Sequence, residues 1–190
     1  MPLKVTFELS DKDLRYFRKL MREARSKAHA VDESAISKAA HQLLEHVKAS
    51  DAPQCVKDLL FKIRPMIEML ADEEWRLKGE DRERVLSALA YFNEPQDMIP
   101  DHTPGFGFMD DAIMVQLVVD ELRHEIEAYQ DFCDQRKAHT KQRRRETPEQ
   151  REQWLAAKRD SLQARMRRRR RARGRRPRGA DSTRAPFTLW

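Results

Sequence analysis

The chain has 190 residues, of which 39% are hydrophobic and 37% charged, and its formal net charge is +6. This composition suits one domain with a modest core and extensions, and no apolar run approaches the roughly 20 residues that a membrane-spanning helix needs. The first residues lack the basic start and apolar block of a secretory signal. We therefore expect a cytoplasmic protein without a transmembrane segment.

The charge is divided unevenly along the chain. Residues 1–135 contain 18 Lys and Arg against 27 Asp and Glu, whereas residues 136–190 contain 20 against 5. Such asymmetry favours an anionic partner for the basic part; alternatively, the basic part folds back on the acidic body and masks it. We expect three regions: an arm and basic-faced helix at 1–31, a helical core at 32–135, and an Arg-rich C-terminal extension at 136–190.

At the N-terminus, residues Leu3–Leu9 alternate between apolar and polar side chains, which is typical of a half-buried strand. No convincing second strand pattern follows in the chain. A strand needs partners for its backbone groups, so it pairs with a second copy, pairs with another protein, or packs on helices as an extended arm. The first alternative predicts a homodimer through residues 3–9.

The first predicted helix follows Ser10 and Asp13, which have the spacing of a capping box. One face carries Leu14, Phe17 and Met21, and the rest is basic. Two interpretations are open for this basic face: a solvated surface, which is the commoner case, or an anion-binding surface. Its arginines are Arg15, Arg18, Arg22 and Arg25.

Helical patterns continue to the end of the chain. We predict helices from Glu33 to about Ala49 after a cap at Asp32, from Pro53 with an interruption at Pro65, over about 82–92, from near Asp110 past Cys133, and after the capping sequence "TPEQ" at 147–150. The expected fold is all-α: a compact bundle of about five helices, with an N-terminal extended arm and a C-terminal tail that is basic and helical, then disordered.

The stretch "NEPQDMIPDHTPGFGFMDD" at 93–111 separates two of these helices. Pro100 and Pro104 exclude helix before them, so we interpret it as a structural corner whose carboxylates accept backbone N–H groups and cap the next helix. The alternative is a Mg²⁺ or Ca²⁺ site with an unknown hydrolytic activity. No catalytic triad, phosphate loop or zinc motif is found, so we expect no cofactor and favour a non-enzymatic role. The carboxylates concerned are Asp97, Asp101, Asp110 and Asp111.

This stretch resembles the YkvA-like family, a bacterial domain of unknown function whose signature is approximately Y-x-x-x-P-x-D-L-I-P-D-x-x-P-x-x-G-x-x-D-D. The resemblance covers about residues 85–125 and implies a helix–corner–helix unit in an all-α setting, with no established enzyme activity. Met98 replaces the usual Leu. The matching residues are Tyr91, Pro95, Asp97, Ile99, Pro100, Asp101, Pro104, Gly107, Asp110 and Asp111.

The basic tail contains a dense arginine run that is expected to bind nucleic acid, RNA or DNA, without sequence specificity, because no aromatic residues interleave it to read bases. Two alternatives are open: a solvated, disordered tail with only incidental affinity for RNA, or binding to an anionic membrane surface, with the apolar residues of 187–190 inserting beside the charges. We expect a chain ending near Gln163 to fold normally and lose binding. The predicted binding residues are Arg165, Arg167, Arg168, Arg169, Arg170, Arg171, Arg173, Arg175, Arg176 and Arg178.

Overall fold

The computed structural model describes residues 6–7, 9–28, 32–93, 103, 107–142, 146–174 and 187–188. Helices make up most of this part of the chain, so the predicted all-α fold is confirmed. The α-helices are α1 (Asp11–Ala28), α2 (Glu33–Ala49), α3 (Gln54–Leu60), α4 (Arg64–Ala71), α5 (Gly79–Leu89), α6 (Met109–Glu121), α7 (Arg123–Gln142) and α8 (Pro148–Gly174). Two 3-10 turns, Phe61–Ile63 and Ala90–Asn93, follow α3 and α5.

Two of the predicted capping sequences form reciprocal hydrogen bonds, whereas Asp32 is the N-cap residue of α2 but makes no side-chain capping bond. The Ser10 backbone N–H donates to Asp13 Oδ2 at 2.9 Å and the Asp13 N–H donates to Ser10 Oγ at 3.3 Å. Thr147 and Gln150 exchange the same pair of hydrogen bonds at 3.1 and 3.3 Å. These reciprocal bonds satisfy N–H groups that have no partner within the helix, so the starts of α1 and α8 are fixed locally.

Pro65 interrupts the third predicted helix, as expected. The chain leaves α3 at Leu60, makes the 3-10 turn, and resumes as α4 with Pro65 in its first turn. Proline is tolerated there because the missing N–H would have no helical partner. The break lets α3 pack against α6 and α4 pack against α7.

The long helix predicted from Asp110 past Cys133 is two helices. Leu122 lies at the junction of α6 and α7 with φ −93° and ψ 17°, outside helical geometry, and its side chain is fully buried. The apolar positions on the two sides of Leu122 share a helical period, so the sequence pattern continues across the break. Burial of Leu122 at the bend accounts for a break that periodicity alone does not reveal.

The expectation that the chain holds no second strand was wrong. Two residues, Thr6–Phe7 (β1), pair antiparallel with Phe187–Thr188 (β2), so that Thr6 lies opposite Thr188. The other residues of the predicted strand, apart from Leu9, lie outside the described part of the chain. The homodimer through residues 3–9 stays a prediction.

The core is centred on Trp75, which lies in the turn between α4 and α5 and is fully buried. Its ring centroid lies 5.8 Å from that of Tyr129 and 5.1 Å from that of Phe132, both on α7. Buried aromatic rings in such tilted pairs contribute beyond their apolar area. The last helix, α8, adds three buried side chains to the same core: Leu155, Leu162 and Met166.

Among the described helices, none combines the length and the apolar character that crossing a membrane requires.

We predict that a chain ending at Gln163 is less stable than one ending at Gly174, contrary to the expectation from sequence. The shorter chain loses Met166, which is 1% exposed and packs in the core. Removing a buried side chain of this size costs about 2–5 kcal/mol. Chemical denaturation of both chains measures the difference, and equal midpoints would show that the end of α8 does not contribute to the core.

Candidate functional site: the arginine helix and its carboxylates

The helix α8 lies antiparallel to α7 and is fastened to it by arginines spaced four residues apart. Arg165 pairs with Asp131, Arg169 pairs with Glu127 at 2.9 Å, and Arg173 donates to the backbone oxygen of Asp120 at 2.7 Å. Going along α8 from Arg165 to Arg173, the residue numbers of the contact partners decrease from α7 into α6, so the two helices run antiparallel. Side chains four apart lie on one face of a helix, so these three arginines form one flank of α8.

The opposite flank of α8 contacts the segment that joins α4 to α5. Arg159 donates to the backbone oxygen of Glu74 at 2.9 Å, the buried Gln163 amide donates to the backbone oxygen of Trp75 at 2.9 Å, and Arg167 donates to Asp81 Oδ2 at 2.7 Å. These residues are again four apart. The helix α8 therefore occupies a groove between α7 and residues 74–81, with polar contacts on both sides of its buried apolar stripe.

Two buried carboxylates lie in this groove. Asp81 at the start of α5 is 3% exposed, and Glu125 on α7 is 1% exposed. A single guanidinium nitrogen of Arg170, Nη1, donates hydrogen bonds to both carboxylates, to Asp81 Oδ1 at 2.6 Å and to Glu125 Oε1 at 3.2 Å. Arg84 reaches the same Glu125 oxygen at 3.3 Å. We define these four residues as the buried arginine–carboxylate cluster.

Burial of Arg170 disfavours its charged form, but the hydrogen bonds that it donates to Asp81 and Glu125 outweigh this effect and raise the pKa of its guanidinium. The group is therefore a permanent cation. Glu125 Oε2 is buried and has no hydrogen-bond partner among the residues that the structure describes. An ionised carboxylate in this position depends strongly on its arginines, because burial removes water as the alternative partner.

A second network closes the other end of the groove. Arg136 on α7 binds Asp72 at 2.9 Å and Glu74 at 2.7 Å, and Arg151 on α8 binds Glu74 at 2.6 Å. Tyr129 donates to Asp72 at 3.1 Å. Burial raises the pKa of both carboxyl groups, but the hydrogen bonds that they accept lower it by more, so the pKa of each lies below its usual value. The donors are Arg136 and the Trp75 backbone N–H for Asp72. They are Arg151 and Arg136 for Glu74.

The structure thus divides the ten arginines predicted to bind nucleic acid. Five of them contact the body: Arg165, Arg167, Arg169, Arg170 and Arg173. Arg168 and Arg171 are exposed and have no partner in the described part of the chain. Arg175, Arg176 and Arg178 lie outside the described residues. For these five arginines the alternative in which the basic segment folds back on the acidic body is confirmed.

The carboxylate partners were missed by sequence reasoning. Asp81 stands in the first turn of α5, where a carboxylate is ordinarily explained by the helix dipole. Glu127 and Asp131 are four apart on α7, as Arg165 and Arg169 are on α8. That matched spacing is the one sequence signal for the pairing, and it acquires meaning only once the two helices are known to run antiparallel.

The Pro-Asp corner is described only in part. Asp97 and Asp101 lie outside the described residues. The N-cap residue of α6 is Phe108, with φ 64° and no side-chain capping bond, so the prediction that Asp110 or Asp111 caps this helix was wrong. Both lie in its first turn, where they favour the helix dipole. Asp110 is 3% exposed, and both residues have partners.

Phe108 anchors the corner to the core. It is 2% exposed, and its ring lies edge-on to His46 of α2 at 6.1 Å. A bulky residue rarely adopts positive φ, so packing must hold it there. Within the described ranges no group of three or more His, Cys, Asp or Glu side chains could hold a metal ion. A Mg²⁺ or Ca²⁺ site that includes Asp97 and Asp101 remains a prediction.

Residues 84–117 match the model of a family described as a protein of unknown function, DUF1232. The match runs from α5 through the corner into α6, and it includes neither α1 nor α8. No curated protein matches the chain. No solved structure matches it either.

We predict that Arg170→Ala destabilises the fold by about 3–5 kcal/mol, because it leaves buried carboxylates without their cation. The matched control is Arg168→Ala, two residues earlier on the exposed face, which should stay within about 0.5 kcal/mol of the unchanged protein. Urea denaturation followed by circular dichroism measures both variants.

A compensating change tests the cause of this loss. Adding Glu125→Gln to Arg170→Ala removes one buried charge, so the double variant should recover part of the stability. Equal stability of Arg170→Ala and Arg168→Ala, or no recovery in the double variant, would contradict the proposed role of the cluster.

We also predict that the Asp72–Glu74 network loses its stabilising effect in acid. Groups with a lowered folded pKa stabilise the protein above their unfolded pKa, about pH 4, and lose this effect as pH falls through the folded value. The melting temperature of the variant Asp72→Asn/Glu74→Gln should therefore lie well below that of the unchanged protein at pH 7. The difference between the two melting temperatures should shrink below pH 4. The exposed pair Asp51→Asn/Glu83→Gln is the control; a difference independent of pH for the network variant would refute the mechanism.

Proposed function

We propose that this chain is a non-enzymatic binding protein that contacts nucleic-acid phosphates through the solvent-facing arginines at the end of α8 and those that follow it. The observation that supports the proposal is the exposed pair Arg168 and Arg171, which lack partners in the described part of the chain although carboxylates bind their neighbours. Arg175, Arg176 and Arg178 continue the basic run beyond α8.

The geometry favours a phosphate partner. Arg168 and Arg171 are three residues apart and therefore share one helical face. Their neighbours Arg167 and Arg170 are fixed to Asp81 on the inner side, so the backbone that carries the exposed pair is held in place. A guanidinium on a fixed backbone binds phosphate with two hydrogen bonds, and less side-chain and backbone freedom is lost on binding.

The proposal predicts that binding does not depend on the nucleotide sequence and that it weakens as the salt concentration rises. Each phosphate contact adds about 0.7 to the slope of log affinity against log salt for single strands. Replacing Arg168, Arg171, Arg175, Arg176 and Arg178 by Ala should lower this slope by about 3.5, five contacts at about 0.7 each, and weaken binding on the order of tenfold or more. Fluorescence anisotropy with unrelated RNA and DNA oligomers measures both quantities.

The control for this experiment removes the same charge elsewhere. Lys38, Lys48, Lys78, Lys137 and Lys141 are exposed, and changing all five to Ala lowers net charge equally. If the effect is general electrostatics, the two variants will lose the same affinity. Equal losses, or no binding by the unchanged protein at low salt, would overturn the proposal.

A further inference from the structure

The first helix presents a second basic surface that the body does not neutralise. Its buried side carries Phe17, Met21 and Ala24, and α1 packs through this side on α5 and the 3-10 turn after it. The opposite side is exposed. It carries five cationic side chains: Lys12, Arg15, Arg18, Lys19 and Arg22.

The lack of partners on this surface contrasts with the pairing elsewhere. Arg25, at the end of the same helix, binds Glu121 at 2.8 Å. Arg15, Arg18 and Arg22 have no carboxylate or hydrogen-bond partner among the described residues. They stand at positions i, i+3 and i+7, so they form a stripe along the helix. In a body whose carboxylates outnumber its cations, this stripe is a concentration of unpaired positive charge.

The carboxylates on α1 itself do not pair with these arginines in the structure. Asp11 is exposed four residues before Arg15, and no ion pair joins the two in the described part of the chain. Asp13 accepts hydrogen bonds from Ser10 and serves the cap. Glu23 lies 3.5 Å from Lys19, with both side chains more than half exposed, and such a pair is weak and screened by salt. The three arginines therefore remain available to an anion in solution.

An exposed aromatic ring lies beside the two lysines of this exposed side of α1. Tyr16 is 48% exposed and is the one large hydrophobic side chain classed as exposed in the described part of the chain. It is four residues from Lys12 and three from Lys19, so it lies on the same side of α1 as these lysines. An exposed ring next to cations suits a nucleic acid whose bases are unstacked, since any base can stack on it.

The basic ends of α1 and α8 meet at one place in the fold. Arg25 of α1 binds the Glu121 side chain, and Arg173 of α8 binds the backbone oxygen of the adjacent Asp120. Both residues belong to the end of α6. The C-terminal turns of α1 and α8 therefore both contact the end of α6, next to its junction with α7.

We propose that α1 carries a second phosphate-binding surface, formed by Lys12, Arg15, Arg18 and Arg22 with Tyr16 at its edge, and that one single-stranded nucleic acid runs from it past the α6–α7 junction to the arginines of α8. The path of the nucleic acid from α1 to α8 rests on the proposed function of α8. The surface on α1 is inferred independently, from the unpaired positive charge on that helix.

The test compares Arg15→Ala/Arg18→Ala/Arg22→Ala with a charge-matched control, Lys38→Ala/Lys48→Ala/Lys137→Ala. For single-stranded RNA the α1 variant should lower the salt slope by about 2, three contacts at about 0.7 each, and the control should not. Both variants change exposed side chains, and Ala favours helix, so unchanged melting temperatures establish that they are folded.

Oligomer length tests the continuous path. The unchanged protein should bind an RNA of about 24 nucleotides more tightly than one of about 8, because only the longer strand reaches both surfaces. The α1 variant should lose this gain. Tyr16→Ala should weaken binding of single-stranded RNA at least about fivefold and leave duplex DNA unaffected, because duplex bases are already stacked.

The outcomes separate the two proposals. If the α1 variant binds like the unchanged protein while the α8 variant loses affinity, the α1 surface is refuted and the proposed function stands. If the α1 variant alone loses affinity, α1 is the binding surface and the role of α8 is refuted. Binding of the unchanged protein to vesicles with anionic lipid, without binding to RNA, would overturn both in favour of a membrane surface.

Discussion

The ionic contact of Arg170 with Asp81 and Glu125 is the constraint on which the arrangement of α5, α7 and α8 depends. Asp81 belongs to α5, Glu125 to α7 and Arg170 to α8, and both carboxylates are almost fully buried. Removing such charges from water costs several kcal/mol for each ion, and only close opposite charge offsets it. A shift of α8 by one residue would bring Arg169 or Arg171 to the position of Arg170, so the arginine run by itself does not set the register. The buried side chains of Leu155, Leu162 and Met166 set it, because the same shift would rotate them out of the core.

This contact explains how a chain with opposite charge in its two parts forms one body. The apolar positions of α8 are few, and in isolation a helix with so many like charges would repel itself. In the groove, its two flanks face the carboxylates of α7 and the carbonyl oxygens of the turn after α4. Part of the positive charge of the C-terminal region is thus neutralised inside the molecule. Among the described arginines, those without a carboxylate partner include Arg168 and Arg171 on the outer face of α8 and Arg15, Arg18 and Arg22 on α1.

Local features of the fold could be predicted from sequence, and features set by distant residues could not. The bounds of α2, the caps at Ser10 and Thr147 and the break at Pro65 depend on a few neighbouring residues. The bend at Leu122, the N-cap of α6 at Phe108 and the pairing of Thr6 with Thr188 depend on packing or on residues far along the chain. The candidate site shows the same division: the arginine run was evident from composition, but which arginines face the body depends on the carboxylates that α5 and α7 bring to the groove.

The arginine contacts differ in how readily an external anion could replace them. Arg170 is 18% exposed, and its partners Asp81 and Glu125 are at most 3% exposed, so separating Arg170 from these two would leave their buried charges unpaired. Arg169 and Glu127 are 54% and 43% exposed, and pairs of this kind contribute about 0–1 kcal/mol and are screened by salt. If α8 binds nucleic acid as proposed, a phosphate can therefore replace Glu127 as the partner of Arg169. The released carboxylate is then solvated by water, so the exchange costs little free energy. Arg170 meanwhile keeps α8 in place, so phosphate binding at the outer arginines is compatible with an intact fold.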